Sequence, residues 1–277
     1  MIRFSSFLLL FLLVASFGAS AQNGFSAVIS PPRIELDVKP GQSYRQVIEV
    51  INDSASSSVF HVRSADWTLD PKKDWAVDFF EGPDGATSAG TPLQPDSCRP
   101  WLTLESNEIR LQGGAKKRYR FEVKVPPDAL SRECRVAIMV EGQEPSKIKG
   151  MPVQVSGRIA VIVYLRVGDA QPDLSIVGVG TAISEGQRFP YVKVNNKGDA
   201  TARLAGLLRG KDASGKVFFF VPSSSPVLPG MTRSLLLVPQ ADTPNTAPPT
   251  LSFPVQIEDR LEWGAFQTPF KATFEEN

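Results

Sequence analysis

Histidine and cysteine are scarce in this 277-residue sequence, which contains one histidine, His61, and two cysteines, Cys98 and Cys134. A metal centre needs several such ligands close together, so this composition argues against one. The sequence also lacks the G-x-S-x-G, H-E-x-x-H and phosphate-binding glycine motifs that position a nucleophile, a metal or a phosphate. We therefore expect a protein that is not an enzyme, with no catalytic residues, no metal and no cofactor.

The charges of the chain are nearly balanced, with 30 lysines and arginines against 29 aspartates and glutamates. A general nucleic-acid-binding protein shows a basic surplus, so we expect no nucleic-acid partner. Long apolar runs are also rare. The one at Phe7–Val14 follows Arg3 and precedes Ala19-Ser20-Ala21, which is the pattern of a cleaved signal peptide. An uncleaved anchor is the alternative, but eight apolar residues are fewer than the ~20 that span a bilayer. We expect residues 1–21 to be removed, a mature protein without a membrane anchor, and a periplasmic location.

Two cysteines in an exported protein indicate one disulfide, between Cys98 and Cys134. In the chain-entropy model, closing a loop of this length contributes about 3–4 kcal/mol to stability. A free thiol and a metal site are the alternatives, and a metal site would need more cysteines or histidines nearby.

Proline and glycine, by contrast, are plentiful and separate short apolar runs, a pattern typical of β-sandwiches. The clearest run, KRYRFEVKV at 117–125, alternates apolar and charged residues over nine positions and predicts a strand with one buried face. Strands are predicted at 26–38, 44–53, 58–69, 75–80, 101–106, 108–114, 117–125, 134–142, 151–167, 173–180, 189–196, 201–210, 216–221, 233–238, 250–258 and 265–274. The fold class is all-β, two immunoglobulin-like sandwiches in tandem, at 22–169 and 170–277. A barrel or a single jelly roll remains open.

The run at 151–167, MPVQVSGRIAVIVYLRV, is longer than a typical strand. Its odd-numbered positions are apolar apart from Gly157, and fully extended it would reach roughly 55 Å, about three times a typical strand. One interpretation is a structural strand that runs from a domain core into the contact between domains. The other is a strand that offers alternate apolar side chains and a main-chain edge to a partner protein, by β-strand addition.

The order of these motifs resembles the periplasmic chaperones of the chaperone–usher pilus pathway. SPPRIEL (30–36) resembles the first strand of that family, VIEVINDS (47–54) its second strand, and SGRIAVIVYLRV (156–167) the strand that closes its first domain. WLTLESNEIRLQGGAKKRYRFEVKVP (101–126) and VNNKGDATARLAGLL (194–208) extend the resemblance over most of the chain. The ending YLRV replaces the usual Tyr-Arg-Pro, as expected for a divergent member.

The resemblance implies a non-enzymatic chaperone that binds pilus or fimbrial subunits and delivers them to an outer-membrane usher. Two basic residues in the cleft between the domains would hold the C-terminal carboxylate of the subunit. Arg33 matches the first, and Arg158 is the nearest basic residue to the second, which is a lysine in the family. The donated apolar side chains would be Met151, Val153, Val155 and Ile159.

Two other classes of protein remain possible. A structural or adhesive surface protein of two immunoglobulin-like modules would use 151–167 as an ordinary internal strand. A glycan-binding or hydrolytic accessory domain could use Trp67, Trp75, Trp101 and Trp263 as sugar platforms, although tryptophans in sandwiches are more often in the core.

Overall fold

We analysed a computed structural model of the chain, which describes residues 26–80, 94–142, 146–147, 154–155, 157–241, 243 and 246–276. The described residues are nearly all in strands and loops, and their two helical segments are short 3₁₀ turns at Pro71–Lys73 and Arg99–Trp101. The all-β prediction is confirmed. No helix among the described residues is long and apolar enough to cross a membrane.

The strands of the first domain are β1 Ala27–Ser30, β2 Arg33–Val38, β3 Ser43–Asn52, β4 Ser58–Asp70, β5 Ala76–Phe80, β6 Leu102–Leu104, β7 Glu108–Leu111, β8 Lys116–Lys124, β9 Glu133–Gly142, β10 Ser146–Lys147, β11 Gln154–Val155 and β12 Arg158–Val167. Those of the second domain are β13 Leu174–Ser184, β14 Gln187–Asn196, β15 Leu208–Lys211, β16 Val217–Pro222, β17 Thr232–Pro239, β18 Val255–Trp263 and β19 Phe266–Phe274.

The first domain is a sandwich of two sheets. One has the order β1-β3-β8-β6, and the other has the order β2-β12-β9-β4-β5, with β7 also paired to β4. Their facing sides form one apolar core, to which β8 contributes Tyr119, Phe121 and Val123, as the alternation of that strand predicts. The intervening Arg118 and Arg120 are exposed. A separate two-stranded hairpin joins β10 to β11.

Two prolines divide the predicted strand 26–38 between the sheets. β1 pairs with β3 in one sheet, and β2 pairs in parallel with β12 in the other. Pro31 and Pro32 stand between them and have no N–H groups, so the ladder cannot continue through them. The chain therefore crosses from one sheet to the other at this point.

The second domain consists of a seven-stranded ladder in the order β13-β14-β17-β16-β15-β18-β19. Its first and last strands approach one another and share one apolar core, which includes Leu174 of β13 and Phe274 of β19. Trp263 is buried in that core, as expected for a core tryptophan, whereas Trp67 is buried in a cluster outside both sandwich cores.

Several predicted strands are wrong in extent, among them 250–258, where the observed strand is Val255–Trp263. In 201–210 the strand begins at Leu208, because Gly206 adopts a φ of +110°, which breaks the extended backbone before it. The stretch 151–167 is not one long strand: β11 ends at Val155 and β12 begins at Arg158. Residues 151–153 lie outside the described residues.

The two cysteines are joined. Cys98 and Cys134 form a disulfide with their Cα atoms 5.4 Å apart, and both are buried. The bond fastens the loop before β6 to β9. Ser97 of this loop also donates a hydrogen bond of 2.5 Å to the buried Asp66 of β4.

Each domain buries one asparagine at the end of a strand. Asn52 ends β3, and its Nδ2 donates to the carbonyl oxygens of Ser56, Leu111 and Gln112. Asn196 ends β14, and its Nδ2 donates to two carbonyl oxygens while its Oδ1 accepts the N–H groups of Asp173 and Gly198. Both side chains are completely buried, so they satisfy main-chain groups that water cannot reach.

We expect Asn52→Ala and Asn196→Ala each to lower the free energy of unfolding by about 2–3 kcal/mol, because each leaves several buried main-chain groups without a partner. The measurement is urea denaturation, with the exposed Asn107→Ala as a control that changes stability by less than about 0.5 kcal/mol. Equal effects at all three positions would contradict this role for the buried amides.

Candidate functional site between the domains

The outer face of the β2-β12-β9-β4-β5 sheet is covered by the second domain. Leu228, which lies in the loop between β16 and β17, is 1% exposed and packs in a cluster that belongs otherwise to the first domain. Met231 packs against the same cluster. The first-domain members are Ala65, Trp67, Leu69, Ala137, Met139 and Tyr164, all of which are buried. β9 is therefore buried on both of its faces.

Beside this cluster, the buried Glu133 makes hydrogen bonds to the second domain. The backbone N–H of Glu133 donates to the carbonyl oxygen of Asp199 at 2.7 Å. Its carboxylate accepts the N–H of Thr201 at 2.8 Å and the hydroxyl of Thr201 at 2.5 Å. Arg135 lies 3.3 Å from the same carboxylate and is also paired with Asp96. Burial raises the pKa of Glu133 to about 7, and the Thr201 hydrogen bonds oppose this rise.

Tyr164 stands at the centre of the cleft on β12. Its ring meets that of Trp67 edge to face, with the centroids 5.4 Å apart, a favourable arrangement for two aromatic rings. The guanidinium of Arg203, from the second domain, lies 5.1 Å from the ring centroid, and its Nη2 donates to the Tyr164 hydroxyl at 3.0 Å. Burial raises the pKa of Tyr164, so its hydroxyl is protonated at neutral pH.

Arg33 lies on β2 at the mouth of this cleft. It is opposite Ile162 in the parallel register with β12, and half of its side chain is exposed. Its Nε lies 2.9 Å from Oε1 of Glu35, and Arg203 reaches the same oxygen at 2.7 Å. A cationic residue from each domain is therefore within reach of solvent at one point of the cleft.

Arg158 begins β12 and is exposed. Side chains alternate along a strand, so it shares the cleft face with Ile162 and Tyr164, and with Arg33 on the neighbouring strand. Ile162 is four positions further along the strand, which corresponds to roughly 13 Å. The structure thus places both predicted basic residues on the same face of the sheet, although at different positions along the strand direction.

Among the strands that the structure describes, none pairs with one edge of β12 beside Ala160, which we call the open edge. β9 pairs with β12 from Arg158 onwards, whereas β2 pairs with it only from Ile162. The N–H of Ile162 points towards β2 and donates to Pro32 at 3.1 Å, while Gly157 pairs with Gly142 on the β9 side. Main-chain groups alternate in the same way, so those of Ala160 point towards the open edge. Among the described strands, none pairs with β12 there.

The four predicted donor residues fall in different places. Met151 and Val153 lie outside the described residues. Val155 pairs with Ser146 in the small hairpin. Ile159 is half-buried and packs against the core of the first domain, in the same row as the buried Val161 and Val163.

Reasoning from the sequence missed Glu133, Tyr164 and Arg203 as cleft residues. A signal for Glu133 existed in ECRVAIMV, where Ala137 and Met139 continue its row with apolar side chains. A row that begins charged and becomes apolar is typical of a face that meets another surface. Within the described part of the chain, no group of three or more metal-binding side chains is found.

No family model matches the sequence, and no curated protein matches it. The fold is similar to that of the class 5 fimbriae chaperone CfaA, with 13% identity and a TM-score of 0.45 over 90% of this chain and 99% of that one. It is also similar to a chain of the CsuC–CsuE chaperone–tip subunit pre-assembly complex of Acinetobacter baumannii, with 14% identity and a TM-score of 0.44 over 91% and 100%. A chain of the Salmonella enterica SafA pilin–SafB chaperone complex matches with 13% identity and a TM-score of 0.44 over 91% and 98%.

Because Glu133 is buried at the contact between the domains, we predict that the free energy of unfolding depends on pH. Its pKa in the folded protein lies above the ordinary 4.5, so its contribution to stability is complete below about pH 4.5 and is lost as the pH rises through 7. We expect wild type to lose about 1–3 kcal/mol between pH 5 and pH 8 relative to Glu133→Gln, measured by urea denaturation. The exposed Glu258→Gln serves as a control and should follow wild type. A constant difference between wild type and Glu133→Gln at all pH values would contradict this prediction.

Proposed function

We propose that this protein is a periplasmic chaperone that binds incomplete pilus or fimbrial subunits by β-strand addition at the open edge of β12 and passes them to an outer-membrane usher. The observation that carries the proposal is the open edge itself. It lies on a strand that is otherwise firmly held, and it is followed by a cleft with two basic residues within reach of solvent.

Strand addition suits this edge because its geometry is already formed. The ladder to β9 holds the first part of β12 extended, so a partner strand would not have to order it. Ala160 directs its main-chain groups outwards, and Pro32 has no N–H to donate to its carbonyl oxygen. A subunit that lacks one strand could pair there and cover its own apolar groove.

The apolar donor row would be supplied by Met151, Val153 and Val155, which precede the open edge in sequence. Burial of such side chains contributes roughly 25 cal/mol per Å² of apolar surface. These positions remain a prediction, as do the domain limits at 22–169 and 170–277. Arg33 and Arg158 would anchor the C-terminal carboxylate, since guanidinium groups bind carboxylates through charge-assisted hydrogen bonds.

A periplasmic site of action fits the chemistry of the chain. The Cys98–Cys134 disulfide is the kind of bond that persists in an oxidising compartment, and Arg3 with Phe7–Val14 has the pattern of a signal for export. The cleavage after residue 21 and the transfer to an usher are parts of the proposal.

A structural or adhesive surface protein is the second candidate. One observation favours it: the row from Ile159 to Val167 belongs to the core of the first domain, as an ordinary internal strand would. In that case the open edge would have no partner of its own.

A variant at the open edge tests the chaperone proposal. Ala160→Pro removes an N–H group that points away from β9, so it blocks a partner strand while leaving the β9 ladder in place. We expect it to reduce co-purification of a co-expressed candidate pilus subunit from the periplasm by at least about tenfold. Ala160→Ser, which keeps the N–H, should behave as wild type, and Arg33→Ala should also reduce recovery.

All variants must first show the melting temperature and circular dichroism of the folded protein. If folded Ala160→Pro recovers as much subunit as wild type, strand addition at this edge is excluded. If wild type recovers none of the subunits encoded beside it, the surface-protein candidate replaces the chaperone proposal.

A further inference from the structure

The outer face of the second-domain sheet carries a row of exposed apolar side chains. Side chains alternate along β16, so Phe218 and Phe220 enter the core while Val217, Phe219 and Val221 face solvent. These three side chains are 44%, 46% and 41% exposed. Single apolar residues are common on protein surfaces, but a continuous row indicates a surface that meets another molecule.

The row continues onto the neighbouring strand β17. Val221 is opposite Val238 in the register of the two strands. Val238 and Leu236 alternate with the buried Leu235 and Leu237, so they face outwards together with the β16 row, and both are partly exposed. We call this set the outer row, and its members are Val217, Phe219, Val221, Leu236 and Val238.

The strand on the other side of β16 is basic. On β15, Arg209 is opposite Phe219 and Lys211 is opposite Val217, and both cations are exposed. Residues directly opposite one another share a face of the sheet, so a positive charge stands beside each of these two apolar side chains. Among the described residues, neither Arg209 nor Lys211 forms an ion pair with a carboxylate. Both charges therefore remain available to an anionic partner.

An open depression of about 470 Å³ lies beside these cations. Its lining includes Arg209 and Lys211 of β15 and Lys271 of β19. Lys271 pairs with Glu258 at 2.7 Å, and Glu258 is the one carboxylate among the lining residues. Three cations and one carboxylate leave a net charge of +2 on this surface, although the charges of the whole chain are nearly balanced. The face therefore attracts negative charge.

We propose that this face of the second domain binds a polypeptide segment that places carboxylates beside apolar side chains. The apolar side chains of the partner would cover the outer row, and its carboxylates would meet Arg209 and Lys211. Arginine and aromatic residues supply much of the binding energy at protein interfaces, and Phe219 and Arg209 are such a pair. None of these residues lies in the cleft or at the open edge of β12, so the inference goes beyond the proposed chaperone function and does not depend on it.

The shape of the face favours a polypeptide over an anionic membrane. The side chains that β16 contributes to the outer row are each more than half buried against their neighbours, and the surface beside them is concave. A membrane-binding surface instead inserts its apolar side chains among the lipids. A concave surface accommodates the side chains of a bound chain, so we assign the partner to the class of proteins.

The experiment uses three fluorescein-labelled peptides that repeat the units Glu-Leu-Gly, Lys-Leu-Gly and Glu-Ser-Gly and end in an amide. The first differs from the second only in its charge and from the third only in its apolar side chain. Their affinities for the mature full-length chain are measured by fluorescence polarisation. The variants are Arg209→Glu and Phe219→Ser. The matched controls, Arg118→Glu and Leu130→Ser, change exposed residues of the first domain.

We expect wild type to bind the Glu-Leu-Gly peptide at least about tenfold more tightly than either of the other peptides. Arg209→Glu should weaken this binding by roughly tenfold, because repulsion replaces attraction. Phe219→Ser should weaken it by roughly fivefold, because less apolar surface is covered. Both controls should match wild type. Raising the salt concentration from about 0.05 M to about 0.5 M should weaken binding by wild type more than binding by Arg209→Glu.

Each variant must first show the circular dichroism and melting temperature of wild type. Equal binding of the three peptides, or binding of none, overturns the inference. An equal loss in Arg118→Glu and Arg209→Glu also overturns it, since the attraction would then belong to the whole chain. If vesicles of phosphatidylglycerol and phosphatidylcholine bind the chain through Arg209 and Phe219 while the peptides do not, the face meets a membrane and a polypeptide partner is excluded. The peptide assay involves neither Ala160 nor Arg33, so its failure leaves the chaperone proposal in place.

Discussion

The burial of β9 on both faces is the constraint on which the arrangement of the two domains depends. One face of this strand lies in the core of the first sandwich, and the other is covered by Leu228 and Met231 of the second domain. An apolar row left uncovered on that outer face would expose a large patch to water. Covering it sets the position of the second domain, and this in turn places Thr201 against Glu133.

The polar groups of the cleft follow from this contact. Glu133 can be buried because Thr201 supplies two hydrogen bonds to its carboxylate. Tyr164 lies between Trp67 of the first domain and Arg203 of the second, so an aromatic contact and a charge-assisted hydrogen bond share one side chain. The apolar cluster thus provides the area of contact, while these polar pairs define how the two domains are aligned.

The strands were largely predictable, because a period of two in the side chains is a local property. The alternation in 117–125 matches the buried and exposed residues of β8 closely. The errors have particular causes. In 201–210 the alternation continues through Gly206, whose backbone conformation ends the extended segment, and in 151–167 an apolar row continues across a break between β11 and β12. Apolar periodicity does not register such breaks.

Of the candidate site, the sequence by itself determined that Arg158, Ile162 and Tyr164 would lie on one face of an extended segment and that Pro31 and Pro32 offer no N–H to a neighbouring strand. Both follow from the geometry of an extended chain and from the missing N–H of proline. Only the tertiary structure decided that Glu35 meets Arg203 and that the edge beside Ala160 is open. The physical reason is that pairing and burial depend on residues far away in the chain, and no local pattern specifies which distant segment will supply them.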